Sequence, residues 1–160
     1  MDFVSTLITP LGLLSIRSDG NEINAIGYEN ADPEENPCTL TEDARQQMQE
    51  YFEGKRTSFD FPVAQQGTEF QQKVWTELLN IRAGEPISYL KLSKNMNNPL
   101  AIRAIAAANG KNKLMIVVPC HRVIGSRGDL VGYAGELWRK KWLLEHEAKM
   151  MNSGQAVMVF

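Results

Sequence analysis

The sequence predicts an α+β fold, in which a small antiparallel sheet with one helix packs on a mostly helical second half containing a helix-turn-helix. Three observations predict it. Phe3–Ile8, Leu13–Ile16 and Ile23–Tyr28 are short apolar runs separated by turn residues, as in a β-meander. After residue 67 the apolar residues recur at helical spacing instead. Between these patterns Gln65-Gln66-Gly67 marks a change of character, so an N-terminal domain over 1–66 and a C-terminal domain over 67–160 are expected. At 160 residues and 18.0 kDa the chain has the size of one ordinary domain or two small halves. That length buries enough surface to fold without staples.

Taken in order, the first strand ends at Thr9-Pro10-Leu11-Gly12 and the second at Ser18-Asp19-Gly20-Asn21, both rich in turn formers. Glu29–Pro37 is acidic with two prolines and reads as an exposed loop. Thr39 or Thr41 can cap a helix that runs through Phe52 and stops at Gly54. Phe59–Val63 is expected to add one more strand. Thr68 can cap a helix carrying Phe70, Val74, Trp75, Leu78 and Leu79, with Gly84 at its end. A short helix is expected from Tyr89 to about Asn95. A second starts after Asn98 as N-cap and Pro99 as first helical residue, and closes at Asn109-Gly110. The pair forms the helix-turn-helix pattern. Met115–Val118 reads as a buried strand, and a final helix carries Leu137, Trp138, Trp142, Leu143 and Leu144.

Composition excludes several classes. Apolar residues make up 43% and charged residues 22%, an ordinary globular balance. No apolar run approaches the roughly 18 residues of a membrane span. The N-terminus lacks the basic segment of a secretory signal. Cys38 and Cys120 are the 2 cysteines, without a CxxC pair, so no zinc finger or disulfide framework is indicated. Two free thiols point to a reducing compartment, the cytoplasm. The net charge of −2 hides an asymmetry: residues 1–67 hold 12 acids and 4 bases, residues 68–160 hold 7 acids and 13 bases. From Pro86 to Gly128 there is no acid, only Lys91, Lys94, Arg103, Lys111, Lys113, Arg122 and Arg127. Such a block is an electrostatic footprint for a polyanion, although a merely solvated basic face has the same composition.

Cys120 is the strongest chemical candidate. It sits in Pro119-Cys120-His121-Arg122, and a thiol becomes a nucleophile when a base or cation favours its thiolate. His121 titrates near neutrality, and a carboxylate such as Glu145 or Glu147 can orient it. From residue types alone, a structural Cys-His pair remains an open alternative. Ala101, Ala104, Ala106, Ala107 and Ala108 make the second helix of the pair slim, with Arg103 its only charge. That suits close approach to DNA and equally suits a packed alanine-rich helix.

The motif Ile-Val-Val-Pro-Cys-His-Arg-Val-Ile-Gly at 116–125 resembles the active-site signature of the O6-alkylguanine-DNA alkyltransferases, or methylated-DNA–protein-cysteine methyltransferases. The likeness extends to Gly67-Thr68-Glu69-Phe70-Gln71 with Val74-Trp75, Ile87-Ser88-Tyr89, Arg103 and Ala108-Asn109-Gly110-Lys111-Asn112. It continues through Gly132-Tyr133-Ala134-Gly135 and Trp142-Leu143-Leu144-Glu145-His146-Glu147. Residues 67–147 carry it strongly, and the N-terminal half resembles the family's variable, ribonuclease-H-like domain only loosely. The resemblance implies that Cys120 is nucleophile and alkyl acceptor, His121 a base acting through a water, Glu147 its orienting carboxylate, and Asn112 a brace for the turn. It implies that Tyr89 rotates the target phosphate and donates to the purine, and that Arg103 fills the gap left by the flipped base. Val123, Tyr133 and Ala134 would line the guanine pocket. Two departures stand out: Lys113 follows Asn112 where the family usually has proline, and Glu136 follows Gly135 where it often has glycine.

The function so implied is suicide DNA repair: O6-methylguanine, or a larger O6-alkylguanine, is flipped from the duplex and its alkyl group moves irreversibly to Cys120. The expected partner is double-stranded DNA read from the minor groove, with O4-alkylthymine a second candidate lesion, and the chain acts as a monomer. No cofactor and no metal are expected; Cys38 reads as an incidental thiol, and no zinc-ligand set accompanies it. A DNA-binding damage sensor or regulator with an inert Cys120 is the alternative. A cysteine hydrolase with a Cys-His-Glu triad ranks last, because it leaves the basic block unexplained.

Overall fold

The computed structural model describes residues 2–152 and is α+β, with two compact units. Unit 1 comprises residues up to Gln65 together with Lys113–Val117; unit 2 comprises Gln66–Asn112 and the chain from Val118 on.

In unit 1 the strands β1 (Phe3–Thr9), β2 (Gly12–Ser18) and β3 (Ile23–Glu29) form an antiparallel sheet in the order β1-β2-β3. Thr9 pairs with Gly12, so Pro10-Leu11 is a two-residue hairpin loop, and Gly12 supplies a φ of 104°. The second turn is held by Asp19, whose carboxylate accepts from the amides of Asn21 (2.8 Å) and Glu22 (3.0 Å). Helix α1 (Thr39–Phe52) covers one sheet face, burying Ala44, Met48 and Tyr51 with Leu7, Leu14, Ile16 and Ile26. Its N-cap is Cys38, not a threonine: Thr41 lies one turn in and its hydroxyl accepts from the Cys38 amide at 2.9 Å. Gly54, at φ 80°, closes the helix in a Schellman arrangement with Gly54 N–H on the Tyr51 carbonyl and Lys55 N–H on that of Glu50.

Two expected strands are absent. Phe59–Val63 makes only a single parallel bridge, Val63 to Ile23. In the Met115–Val118 region only Leu114 bridges, to Ile26. The chain then turns, with the Val117 amide bonded to the Met115 carbonyl across Ile116 at φ 73°. Both runs are apolar because they are buried, and a short buried run has no periodicity that separates strand from irregular chain.

In unit 2, α2 (Glu69–Leu78) begins with a full capping box: Thr68 Oγ1 accepts from the Gln71 amide (3.1 Å) and Gln71 Oε1 from the Thr68 amide (2.9 Å). It ends at Leu78, well before Gly84, and leaves Leu79 exposed. Trp75 is buried and its indole N–H donates to the Ala108 carbonyl at 2.9 Å, tying α2 to α4 (Ile102–Gly110). A parallel pair that no sequence pattern signals, β4 (Ile87–Ser88) with β5 (Val123–Ile124), precedes α3 (Tyr89–Asn95). Asn97 and Asn98 do not start α4. They finish α3: Asn97 takes φ 56° and donates to the Lys94 carbonyl, and Asn98 donates to that of Ser93. Consequently Pro99 and Leu100 lie in the turn, and α4 begins at Ile102 with Ala101 as an N-cap that has no side-chain bond. Helix α5 (Leu137–Met151) buries Lys140, Leu143, Leu144, Glu147 and Ala148 along one face.

Candidate active site

Cys120 lies in a single 3-10 turn, Cys120–Arg122, closed by the Arg122 amide on the Pro119 carbonyl at 3.0 Å. Its amide donates to the Val118 carbonyl at 2.8 Å across Pro119, an inverse γ-turn. Two asparagines, Asn109 in the last turn of α4 and Asn112 just beyond it, fix this backbone. Asn112 Nδ2 donates to the Val118 carbonyl at 2.7 Å, and Asn109 Nδ2 to the Cys120 carbonyl at 3.2 Å.

The thiol is in the wall of a cavity of about 200 Å³. Tyr89 from α3, Ala106, Asn109 and Gly110 from α4, and the 131–134 loop with Tyr133 and Ala134 complete the lining. That is smaller than the roughly 300–1,000 Å³ of drug-sized pockets. Val123 is fully buried on β5 and is not part of the lining; its carbonyl instead accepts from Lys140.

Behind the turn is a buried ion cluster. Glu147 Oε2 accepts from His121 Nε2 at 2.8 Å and from one Arg122 guanidinium nitrogen at 2.9 Å, and Oε1 accepts from Arg122 Nε at 2.9 Å. A second guanidinium nitrogen of Arg122 donates to the Ile81 carbonyl at 2.7 Å. Burial opposes the Glu147 charge, but His121 and Arg122 outweigh it and hold the carboxyl well below its usual range. Burial lowers the His121 pKa, and Glu147 only partly offsets this, so the imidazole is neutral at pH 7. A carboxylate can only accept, so the neutral ring carries its proton on Nε2, and Nδ1 is left as a buried acceptor without a partner among the described residues.

Burial pushes the Cys120 thiol up; a hydrogen bond from Asn112 and the nearby Lys140 ammonium work in the other direction. At rest Cys120 is therefore a thiol. Lys140, which residue types and motifs did not single out, is fully buried. Its ammonium donates to the carbonyls of Val123 (2.6 Å), Val131 (2.8 Å) and Gly132 (3.1 Å), pinning the pocket loop to β5. Burial brings its pKa down to about 8. Of the acid-free basic block, Arg122 is thus withdrawn into the interior, whereas Lys91, Lys94, Arg103, Lys111, Lys113 and Arg127 are exposed. Arg103 stands on the first turn of α4. Glu145 is half-buried, and His146 stacks on Trp142 with ring centroids 4.6 Å apart, so Glu147 is the carboxylate brought to His121. No group of metal-binding side chains occurs among the described residues, and no described helix is long and apolar enough to cross a membrane.

Residues 69–149 match the family model for the DNA binding domain of 6-O-methylguanine DNA methyltransferase, and residues 3–65 match that for its ribonuclease-like domain. The constitutive methylated-DNA–protein-cysteine methyltransferase of Bacillus subtilis is 42% identical over 147 residues, covering 84% of this chain and 88% of the relative. The crystal structure of the Mycobacterium tuberculosis O6-methylguanine methyltransferase superposes with a TM-score of 0.82 at 38% identity, over 92% of this chain and 93% of that one. The M. tuberculosis protein in complex with DNA gives 0.84 at 37% identity, over 92% and 94% of the two chains.

Proposed function

The chain belongs to the 6-O-methylguanine DNA methyltransferase family, and from that premise we propose that Cys120 takes the alkyl group of an O6-alkylguanine flipped into the pocket beside it. The activity is DNA repair by transfer of an alkyl group from DNA to a cysteine of the protein itself. The observation that carries the residue assignment is the thiol in the cavity wall with the His121–Glu147 pair directly behind its turn.

The steps follow from the protonation states. Glu147 holds the Nε2–H tautomer of His121, which leaves Nδ1 to take the thiol proton through an intervening water. Cys120 Sγ then attacks the alkyl carbon; the S–C bond forms as the C–O6 bond breaks, and the bonding pair leaves on the purine oxygen. Guanine takes up one proton, so the thiol proton is in effect exchanged for the alkyl group. Tyr89, which lines the cavity and whose phenol pKa is raised by burial, is the proton donor to the purine. A thioether has no ready reverse step, so each chain reacts once.

Flipping is required because the alkyl carbon cannot be reached in line within the base stack. The slim α4 approaches the minor groove, Arg103 fills the vacated position in the stack, and the exposed lysines meet phosphates. One chain carries one acceptor, so the reading takes the working unit as a monomer. The two free thiols fit a reducing compartment, the cytoplasm.

Intact mass after incubation with duplex DNA containing O6-methylguanine tests the reading. One methyl per chain, mapped to Cys120, is expected, and Cys120→Ala is expected to bind the duplex yet acquire none. Methylation of the Cys120→Ala chain, or binding without transfer by the parent, would overturn it; the latter is the behaviour of a damage sensor.

A further inference from the structure

Two groups of the pocket wall act in the steps above, the Cys120 thiol and the Tyr89 phenol, and one side chain joins them. Asn109 lies in the last turn of α4, is only 5% exposed and lines the cavity with both. Its Nδ2 donates to the Cys120 carbonyl at 3.2 Å and to the Tyr89 hydroxyl at 3.0 Å. The first bond fixes the sense of the second. A carbonyl only accepts, so nitrogen must face Cys120, and the Tyr89 oxygen bonded to the same nitrogen is then an acceptor. A phenol whose oxygen accepts still holds its own proton for another partner. The contact also strengthens as that proton leaves, because a hydrogen bond to an ionised oxygen is roughly twice as strong as one to a neutral oxygen. Burial opposes ionisation of the Tyr89 phenol, and the Asn109 bond works against burial.

We propose that Asn109 is a positioning residue for protonation of the leaving purine: Nδ2 keeps the Tyr89 proton free for the purine and stabilises the phenol oxygen as that proton departs. The proposal rests on the reading that Tyr89 protonates the purine. In this step the S–C bond forms and the C–O6 bond breaks, with its electron pair going to the purine. The Tyr89 O–H bond breaks at the same time; its proton goes to the purine and its pair stays on the phenol oxygen, facing Nδ2. The phenolate then regains a proton from solvent, to which His121 passes the proton it took from the thiol.

A double-variant cycle in the full-length protein tests this, read as single-turnover methyl transfer to Cys120 from duplex DNA containing O6-methylguanine. Tyr89→Phe removes the proton donor and should slow transfer by about 10² or more. Asn109→Leu removes both N–H donors at similar volume; it should slow transfer about tenfold by itself, and by less than about threefold in the Tyr89→Phe background. A side chain that merely braced the Cys120 turn would cost the same factor in both backgrounds, and that outcome overturns the proposal. Methyl iodide gives a second readout, since iodide leaves without a proton. Methylation of Cys120 by methyl iodide, mapped by mass, should slow by less than about threefold in Asn109→Leu, because only the bond to the Cys120 carbonyl matters there. Equal losses with methyl iodide and with the duplex also overturn the proposal. If circular dichroism shows Asn109→Leu unfolded, Asn109→Ala is carried through the same cycle under the same criteria. Transfer by Tyr89→Phe as fast as by the parent removes the proton donor from the reading and overturns the proposal with it. Absence of any methyl on Cys120 in the parent instead strikes the functional reading itself, and the proposal falls with it.

Discussion

Replacing Glu147 by glutamine removes one charge and almost no volume from a fully buried site. In the parent both carboxylate oxygens are occupied, Oε1 by Arg122 Nε and Oε2 by His121 and a second Arg122 nitrogen. An amide offers one acceptor, so whichever way it turns, its NH2 confronts an N–H of Arg122 or of His121. The guanidinium, itself 6% exposed, is then buried without a counter-charge. Breaking a buried pair in this way costs about 3–5 kcal/mol. With a urea slope of roughly 2 kcal/mol per molar, the unfolding midpoint should drop by about 1.5–2.5 M. Tryptophan fluorescence and far-UV circular dichroism should both report it. The sign with pH is also fixed. Because the folded carboxyl titrates below its unfolded value of about 4.3, its contribution is complete above that value and drains away as pH falls beneath it. The gap between parent and variant should therefore close in acid. Removing both charges, in Arg122→Leu with Glu147→Gln, should recover most of the stability while the transfer rate stays down by about 10² or more, since His121 still lacks its carboxylate. A midpoint shift below about 0.5 M for Glu147→Gln, or a double variant no more stable than the single, would refute this account of the cluster.

Further outcomes follow from the same geometry. Burial lowers the His121 pKa, so the proton-accepting form should persist below the usual value of about 6.5, and the pH profile of single-turnover transfer should fall only beneath it; a midpoint at 6.5 or higher refutes the neutral resting imidazole. Arg103→Ala should leave inactivation by a free O6-alkylguanine base unchanged and slow repair in duplex DNA by about tenfold for each 1.4 kcal/mol of lost compensation for flipping. Equal losses on both substrates would place Arg103 in support of the fold. Lys140→Met strips three carbonyls of their donor, so hydrogen exchange of the 131–134 segment should accelerate and transfer should slow; unchanged exchange would mean that the loop is held by its own backbone.

What the sequence disclosed was what local rules decide. The three strands, the cap of α2 and the stop of α1 at Gly54 depend on residues within a turn of each other and were legible. Asn97-Asn98-Pro99 was misassigned because asparagine caps helices at either end, and only the hydrogen bonds to Ser93 and Lys94 show which end it serves. The site divides in the same way. Cys120, His121 and Glu147 were found through their motifs. Arg122 was counted into the basic block and Lys140 was not singled out at all, because a charge count cannot register burial. A signal was nonetheless present: Lys140, Leu143, Leu144 and Glu147 recur at helical spacing, which places two charges on the apolar stripe of α5. Charges at such positions are rarely buried unless paired, so they point to partners on another element. Asn109 left no such trace, since its hydrogen bonds depend on what Tyr89 and Cys120 present to it.

The two departures from the family pattern have different physical standing. Lys113 uses its amide, which donates to Gln65 Oε1 at 2.9 Å, a bond that proline could not make. Glu136 is more demanding. At φ 77° and ψ 149° it occupies a region that is essentially confined to glycine, at a cost of about 1–3 kcal/mol. Its carboxylate offsets part of this by accepting from the Trp138 indole at 2.8 Å, about 0.5–1.5 kcal/mol, and by placing a negative charge at the start of α5, about 0.3–1 kcal/mol. Glu136→Gly relieves the strain and loses both offsets, together with roughly 0.5–1 kcal/mol of unfolded-state entropy, so its stability should stay within about 1 kcal/mol of the parent. Glu136→Ala loses the offsets and keeps the strain. Alanine should therefore be the less stable of the two, inverting the usual preference for alanine over glycine. Thermal unfolding of the two variants side by side decides it: an alanine variant that melts at or above the glycine variant would show that the backbone at 136 is not held in this conformation.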